Sequence, residues 1–182
     1  LNELVKKKKI KSKVIKVDHF KNKKYYKQID NIYFNNSSNE KNLSFVFCIA
    51  KALKLNLKTV INTANKFKGL DYRQQIIYNS KKLLIINDSK STSFSSTVPL
   101  LESYENIYWI LGGLAKKGDK LLLTKKYIPN IKAYVYGKDR NFFISSLPNQ
   151  ISYKYSSTLK KIMKNLINDM KNKKEVENFL TN

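Results

Sequence analysis

Apolar positions recur along this chain with two periods, and the change from one to the other near residue 70 divides it. From Asn42 onward the spacing is helical: Leu43, Val46, Phe47, Ala50, Leu53 and Leu55 return every three or four residues and predict an amphipathic helix. Asn56 carries the side chain of an N-cap. Val60, Ile61, Ala64 and Phe67 then supply one face of a second helix over residues 57–67, which Gly69 stops. Beyond Gly69, short apolar runs alternate with helical stretches. Residues 75–78 and 82–86 predict a strand pair around a tight Asn79-Ser80-Lys81 turn, and a helix is expected near 96–104. Further strands are predicted over 107–111 and 131–137, and further helices over 119–125, 139–147 and 157–170. Ser156 or Ser157 would cap the last helix, whose face is Leu159, Ile162, Met163, Leu166 and Ile167. Such alternation predicts an α/β fold with a mostly parallel, Rossmann-like sheet, preceded by a helical segment. Ahead of the helices the pattern says less: Lys13–Val17 alternates like an edge strand, and residues 31–34 predict another short one.

Two strand ends carry polar groups. Leu83-Leu84-Ile85-Ile86 reads as a strand buried on both faces, of the parallel-sheet type, and it breaks into Asn87-Asp88-Ser89-Lys90-Ser91-Thr92. The run Ile107-Tyr108-Trp109-Ile110-Leu111 ends in Gly112-Gly113-Leu114-Ala115-Lys116. Ligands of open α/β sheets bind at the carboxyl ends of strands, so Asp88, Lys90, Thr92 and Lys116 are candidates for holding a small polar ligand. A helix-capping loop is the plain alternative for the first stretch, since Asp, Ser and Thr are the usual caps. No G-x-G-x-x-G fingerprint implies a dinucleotide.

With these residues placed, the chain resembles the Mur ligases. Asn-Asp-Ser-Lys-x-Thr after one strand and Gly-Gly-x-x-Lys after the next are similar to that family's C-terminal domain, and the Asn-Asp-Ser-Lys form is similar to its D-glutamate-adding branch. Phe67-Lys68-Gly69-Leu70-Asp71-Tyr72-Arg73 resembles the family's Phe-x-Gly-Leu-x-His-Arg hinge. Tyr72 stands in place of the histidine. Asn39 and Asn42 match an Asn-x-x-Asn element at the start of the helix pair, with Ser38 where the family has histidine; one of these Asn residues could instead cap the helix. The resemblance divides the chain into residues 1–69, the end of a central ATP-binding domain, and 70–182, an amino-acid-binding domain.

What the resemblance implies is an ATP-dependent, ADP-forming amide ligase of peptidoglycan precursor synthesis. ATP would phosphorylate the carboxylate of UDP-N-acetylmuramoyl-L-alanine, and the amine of D-glutamate would displace phosphate from the acyl phosphate. Asn39 and Asn42 would meet the adenine, Arg73 the ribose and phosphate side, and Asp88 the ribose. Lys90 and Lys116 would face the phosphoryl group and the D-glutamate carboxylates, with Thr92 donating to the same substrate. There is no G-x-x-x-x-G-K-[ST] loop, no UDP-sugar domain, and no Ser-Pro-x-x-x-Ser after Met170. A fragment of the ligase, inactive alone, is therefore expected; Mg2+ ligands belong to the missing part, and the full-length enzyme is expected to be a monomer. A related ligase with another amino-acid acceptor is the alternative of the same class.

Composition modifies this picture little. In 182 residues, 42% are hydrophobic, enough for a core, and no run approaches the roughly 20 apolar residues of a membrane span. No secretory signal is visible, and Cys48 is alone in an apolar run, where a buried structural thiol is expected; a cytoplasmic protein fits. His19 is the single histidine and suggests no metal site. The net charge of +23 invites a nucleic-acid reading, but all but Arg73 and Arg140 of the 36 basic residues are lysine, spread along the chain. Arginine dominates bidentate recognition of bases and phosphates, so a solvated lysine surface is the simpler reading and a specific nucleic-acid partner is not expected. Binding to nucleic acid should accordingly be weak, indifferent to sequence and lost on adding salt, as a salt titration of a labelled duplex would show.

Overall fold

The computed structural model describes residues 15–18, 23–116 and 118–171. The charge run at Lys6–Lys9 and the His19 position lie outside these residues, as do Lys13 and Val14 of the expected edge strand; Ile15–Val17 form no strand. Two compact units make up the described chain. One comprises residues up to Phe34 with Asn39–Phe67, and the other Asn35–Ser38 with the residues from Lys68.

The first unit is helical. α1 (Lys23–Tyr26) is a single turn, α2 spans Ser37–Ala52 and α3 spans Leu57–Asn65. Leu43 and Phe47 of α2 meet Ile61 and Ala64 of α3 in one core, closed by Tyr25, Tyr26, Ile29 and Phe34. Tyr25 stacks on Phe47 with ring centroids 5.1 Å apart, and the Tyr26 hydroxyl hydrogen-bonds Ser44. Asn56 caps α3 as its sequence predicts, its side chain accepting from the Lys58 N–H at 2.9 Å. Asn31 closes the other end by donating to the Ala64 and Phe67 carbonyls, both at 2.8 Å, which satisfies acceptors that a helix terminus leaves open. That task explains why residues 31–34 are not the predicted strand: Ile32–Phe34 is a 3-10 turn, with Asn31 Oδ1 accepting from the Tyr33 N–H. Val46, Leu53 and Leu55 are exposed, and Cys48 is only half-buried. The buried face of α2 is thus narrower than its apolar positions suggest. α3 ends at Asn65, leaving Phe67 beyond it.

The second unit holds the α/β part. β1 (Gln75–Asn79) and β2 (Leu84–Asn87) form an antiparallel pair joined by a turn in which Ser80 Oγ accepts from the Leu83 N–H. β3 (Ile107–Gly112), β4 (Ile131–Tyr136) and β5 (Ser152–Ser156) form a parallel sheet in the order β3-β4-β5. α4 (Phe94–Leu101), α5 (Arg140–Ser146) and α6 (Leu159–Lys171) complete it. The predicted α/β fold with a parallel sheet is observed. The predicted strand pair around the Asn79-Ser80-Lys81 turn is observed too, and four details are corrected. β2 is half-buried and antiparallel rather than a parallel strand buried on both faces, because its partner is the hairpin strand β1. Residues 119–124 form no helix; a 3-10 segment follows at Lys125–Asn130. β5 is an additional strand, and α6 begins after Thr158, whose Oγ accepts from the Lys161 N–H, so neither Ser156 nor Ser157 caps it.

Strand alternation distributes β4 between two layers. Ile131, Ala133 and Val135 face a core with Leu111, Phe94, Leu101, Ile128, Leu147 and Ile151. Tyr134 points the other way, onto Ile162 and Leu166 of α6. Leu159 and Ile167, at the margins of that helix's apolar face, stay exposed. The same side carries a charged cluster: Asp169 of α6 accepts from Lys132 Nζ at 2.8 Å, Tyr134 Oη at 2.7 Å and Lys154 Nζ at 2.6 Å. Burial pushes the Asp169 carboxyl up, but these three donors outweigh it and hold the group well below the usual carboxylate range. Burial and the same carboxylate push the Tyr134 hydroxyl up. Asp169 therefore contributes stability that is complete above its unfolded pKa of about 3.9 and is lost as pH falls through its lower folded value. Asp169→Asn should cost about 1–2 kcal/mol at pH 7, allowing for the partial exposure of both lysines. The deficit should shrink below about pH 4 in denaturant melts compared with the parent chain.

Candidate functional site

The hairpin brings the two polar segments flanking it together. In register, Gln75 faces Asn87, so Gln74 and Asp88 emerge side by side at its open end. The Gln74 N–H donates to Asp88 Oδ1 at 3.0 Å, and the Lys90 N–H donates to the Tyr72 carbonyl at 3.0 Å. Holding these contacts requires an unusual backbone: Tyr72 and Gln74 both have left-handed φ, +62° and +49°. Each such non-glycine residue costs about 1 kcal/mol or more. The Lys90 ammonium lies 5.9 Å from the centre of the Tyr72 ring, within cation–π range. Arg73 is exposed beside this cluster, and its charge is felt at Asp88.

Asp88 is the chemical focus. Its second oxygen, Oδ2, is buried and makes no hydrogen bond. The Ser91 hydroxyl lies close enough to favour the carboxylate, yet its proton goes to Ser96 Oγ at 2.8 Å. Burial raises the Asp88 pKa above the usual range, opposed more weakly by Ser91, the Gln74 N–H and Arg73. A buried acceptor without a donor costs free energy unless a ligand hydroxyl or amine supplies one. Lys90 and Thr92 are exposed beyond it.

The second strand end, after β3, is built by close backbone approach. A Cβ on Gly112 would stand 2.3 Å from the Tyr136 carbonyl of β4, and one on Gly137 would stand 3.3 Å from the Gly113 N–H. Glycine at these points lets the two strand ends touch. Lys116 projects from the loop that follows and is exposed. Two carboxylates absent from the sequence-based candidates tie this loop down: Asp139 Oδ2 accepts from the Ala115 N–H at 2.8 Å, and Asp119 Oδ2 accepts from the Phe94 N–H at 2.7 Å. The second contact joins the Lys116 loop to the start of α4, two residues after Thr92. Asp139 could have been found by the rule that found Lys116, since Gly137-Lys138-Asp139 follows a parallel strand.

The structure thus groups Arg73, Asp88 and Lys90, and links the Thr92 and Lys116 segments. Asn39 and Asn42 lie on α2 in the first unit. Asn39 is buried inside the helix, not at its cap, and donates through Nδ2 to the Tyr33 carbonyl at 2.8 Å; Asn42 is exposed. Among the described residues no three of His, Cys, Asp and Glu gather as a cation site, and no helix is long and apolar enough to cross a membrane.

In fold and in sequence this α/β domain, with Asn-Asp-Ser-Lys at one strand end and Gly-Gly-x-x-Lys at the next, is similar to the Mur ligases. The fold is shared with MurF from Acinetobacter baumannii, at a TM-score of 0.55 and 18% identity over 75% of this chain and 32% of that one. It is shared also with MurC from Thermotoga maritima, at 0.53 and 16% identity over 71% and 31%. In sequence, the relatives are the UDP-N-acetylmuramoylalanine–D-glutamate ligases. The enzyme of the Wolbachia symbiont of Brugia malayi (strain TRS) is 34% identical over 119 residues, 65% of this chain and 24% of its own length. That of Rhizobium meliloti (strain 1021) is 32% identical over 123 residues, 68% and 27%. That of Francisella tularensis subsp. tularensis (strain SCHU S4) is 33% identical over 126 residues, 67% and 30%. The chain spans about a quarter to a third of these relatives. No protein-family model matches it.

The Asp88 environment has a signature independent of any substrate. A carboxyl whose folded pKa is raised weakens the folded state when ionised, and that penalty disappears as pH falls through the folded value toward about 3.9. The stability of the parent chain relative to Asp88→Asn should therefore rise as pH falls through that raised value toward about 4, in paired urea titrations. A flat difference would place Asp88 in ordinary solvent.

Proposed function

We propose that this chain is part of an ADP-forming ligase that adds D-glutamate to UDP-N-acetylmuramoyl-L-alanine through an acyl phosphate. The observation that carries the reading is the unpartnered Asp88 Oδ2, buried at a strand end between the backbone contacts of Gln74 and Lys90. A ribose hydroxyl of ATP would supply the missing donor, with Arg73 on the phosphate side. Lys90 and Lys116 are cations suited to phosphoryl oxygens and to the two carboxylates of D-glutamate, and Thr92 adds a hydroxyl donor. The names of the sequence relatives support D-glutamate over another amino-acid acceptor.

Residues 1–69 are assigned in this reading to the end of the ATP-binding domain and 70–182 to the amino-acid-binding domain. Asn39 and Asn42 would serve the adenine. ATP itself supplies the leaving phosphate, and Mg2+ is assigned to residues of the ligase outside this chain. The 182-residue chain alone is expected to be catalytically silent, and the complete ligase a cytoplasmic monomer.

Phosphate release by the complete ligase, with UDP-N-acetylmuramoyl-L-alanine and single amino acids in turn, tests the assignment. Release should require D-glutamate, and Lys116→Ala should weaken D-glutamate by about 1.5–3 kcal/mol, the range for a charged hydrogen bond, with KM for ATP little changed. Equal release with several amino acids would assign the chain to another acceptor. An unaltered KM for D-glutamate would remove Lys116 from the site.

A further inference from the structure

Asp139 occupies the N-cap position of α5 but does not cap it: its side chain makes no bond to the first turn of its own helix. A capping aspartate ordinarily accepts from the second or third helical N–H. Here the carboxylate is turned away and accepts from the Ala115 N–H at 2.8 Å, 24 residues earlier in the chain and one residue before Lys116. We infer that Asp139 is a positioning residue for Lys116. It forgoes capping its own helix to hold the backbone from which the lysine projects.

The loop needs such a hold. Gly113 and Gly118 have φ of +107° and +77°, so the chain on either side of Lys116 passes through conformations that glycine shares with many others. Leu114 is almost fully exposed and contributes little packing. What remains are polar contacts. The Asp119 N–H closes a turn onto the Lys116 carbonyl at 3.2 Å, and Asp119 Oδ2 is anchored on the Phe94 N–H. Lys116 is thus bracketed by two carboxylate-to-amide bonds, one at Ala115 and one at Asp119. Both acceptors are carboxyl oxygens, at 2.7 and 2.8 Å from their amide donors. Asp119 also serves the first turn of α4, so its loss would disturb the fold more widely. Asp139 is the contact whose removal acts on the loop. Contact between Gly113 and Gly137 brings the two strand ends close enough for the carboxylate to reach across.

The inference rests on the reading that Lys116 meets the amino-acid substrate, and two measurements separate the parts. The first is amide hydrogen exchange in the 182-residue chain. Asp139→Ala should accelerate exchange at Ala115 and its loop neighbours by roughly ten-fold or more while β4 and α6 are unchanged, and Asp139→Asn, which keeps an acceptor, should restore protection. The second is kinetics in the complete ligase. Asp139→Ala should raise KM for D-glutamate roughly ten-fold with KM for ATP unchanged, Asp139→Asn should recover most of it, and in a Lys116→Ala background Asp139→Ala should add less than about two-fold. Unchanged exchange at Ala115, or an equal loss with and without Lys116, would overturn the positioning role. If exchange accelerates but Lys116→Ala leaves D-glutamate unaffected, the substrate reading fails and Asp139 is only a clasp on the loop.

Discussion

The burial of β4 on both faces is the constraint from which the second unit follows. Ala133, Tyr134 and Val135 are completely enclosed, and a strand can be so enclosed only when hydrogen-bonded on both edges and covered on both sides. β3 and β5 satisfy its edges in parallel register, and α6 on one side and the Phe94, Leu101 and Leu147 layer on the other cover its faces. Parallel pairing has a functional consequence. It sends successive carboxyl ends to the same side of the sheet, so the loops after β3 and β4 leave side by side. Gly112 and Gly137 then let them touch.

On that platform the acidic residues do work out of proportion to their number. The chain has 13 carboxylates against 36 basic side chains. Asp88, Asp119 and Asp139 each hold a backbone N–H of another segment. Asp169 gathers two lysines and a tyrosine between α6, β4 and β5. A loop rich in glycine or serine has little packing to define it, and a carboxylate-to-amide bond from a distant residue supplies definition without bulk near the ligand. Other lysines, Lys90 and Lys116 among them, are exposed.

Asp88 illustrates how stability and chemistry conflict at such a site. One oxygen is used by the fold and the other is buried without a donor, a state that raises its pKa and costs folding free energy. The neighbouring left-handed Tyr72 and Gln74 add backbone strain. These costs are concentrated in the residues flanking one hairpin, the kind of strain that clusters at functional sites.

How much of this was legible depends on the range of the interaction concerned. Local patterns determined the helices after Asn42, the Asn56 cap, the β1–β2 hairpin and the strands ending at Gly112 and Tyr136, because periodicity and capping act over a few residues. The strand-end motifs around Asp88, Lys90, Thr92 and Lys116 were legible for the same reason, and they carry the family relationship. Tertiary structure alone decided which apolar residues of α2 are covered, since Val46 has the periodicity of Phe47 but is exposed. It decided that Leu84–Asn87 is only half-buried and that Asn31 serves a helix end more than thirty residues away; β5, by contrast, carries a legible alternation, Ser152-Tyr153-Lys154-Tyr155-Ser156, that the predicted elements do not include. The contacts of Asp119 and Asp139 were also decided by the tertiary structure, although the place of Asp139 after a parallel strand was legible. Their partners lie 25 and 24 residues away, and a hydrogen bond between distant segments leaves no periodic trace in the amino-acid sequence.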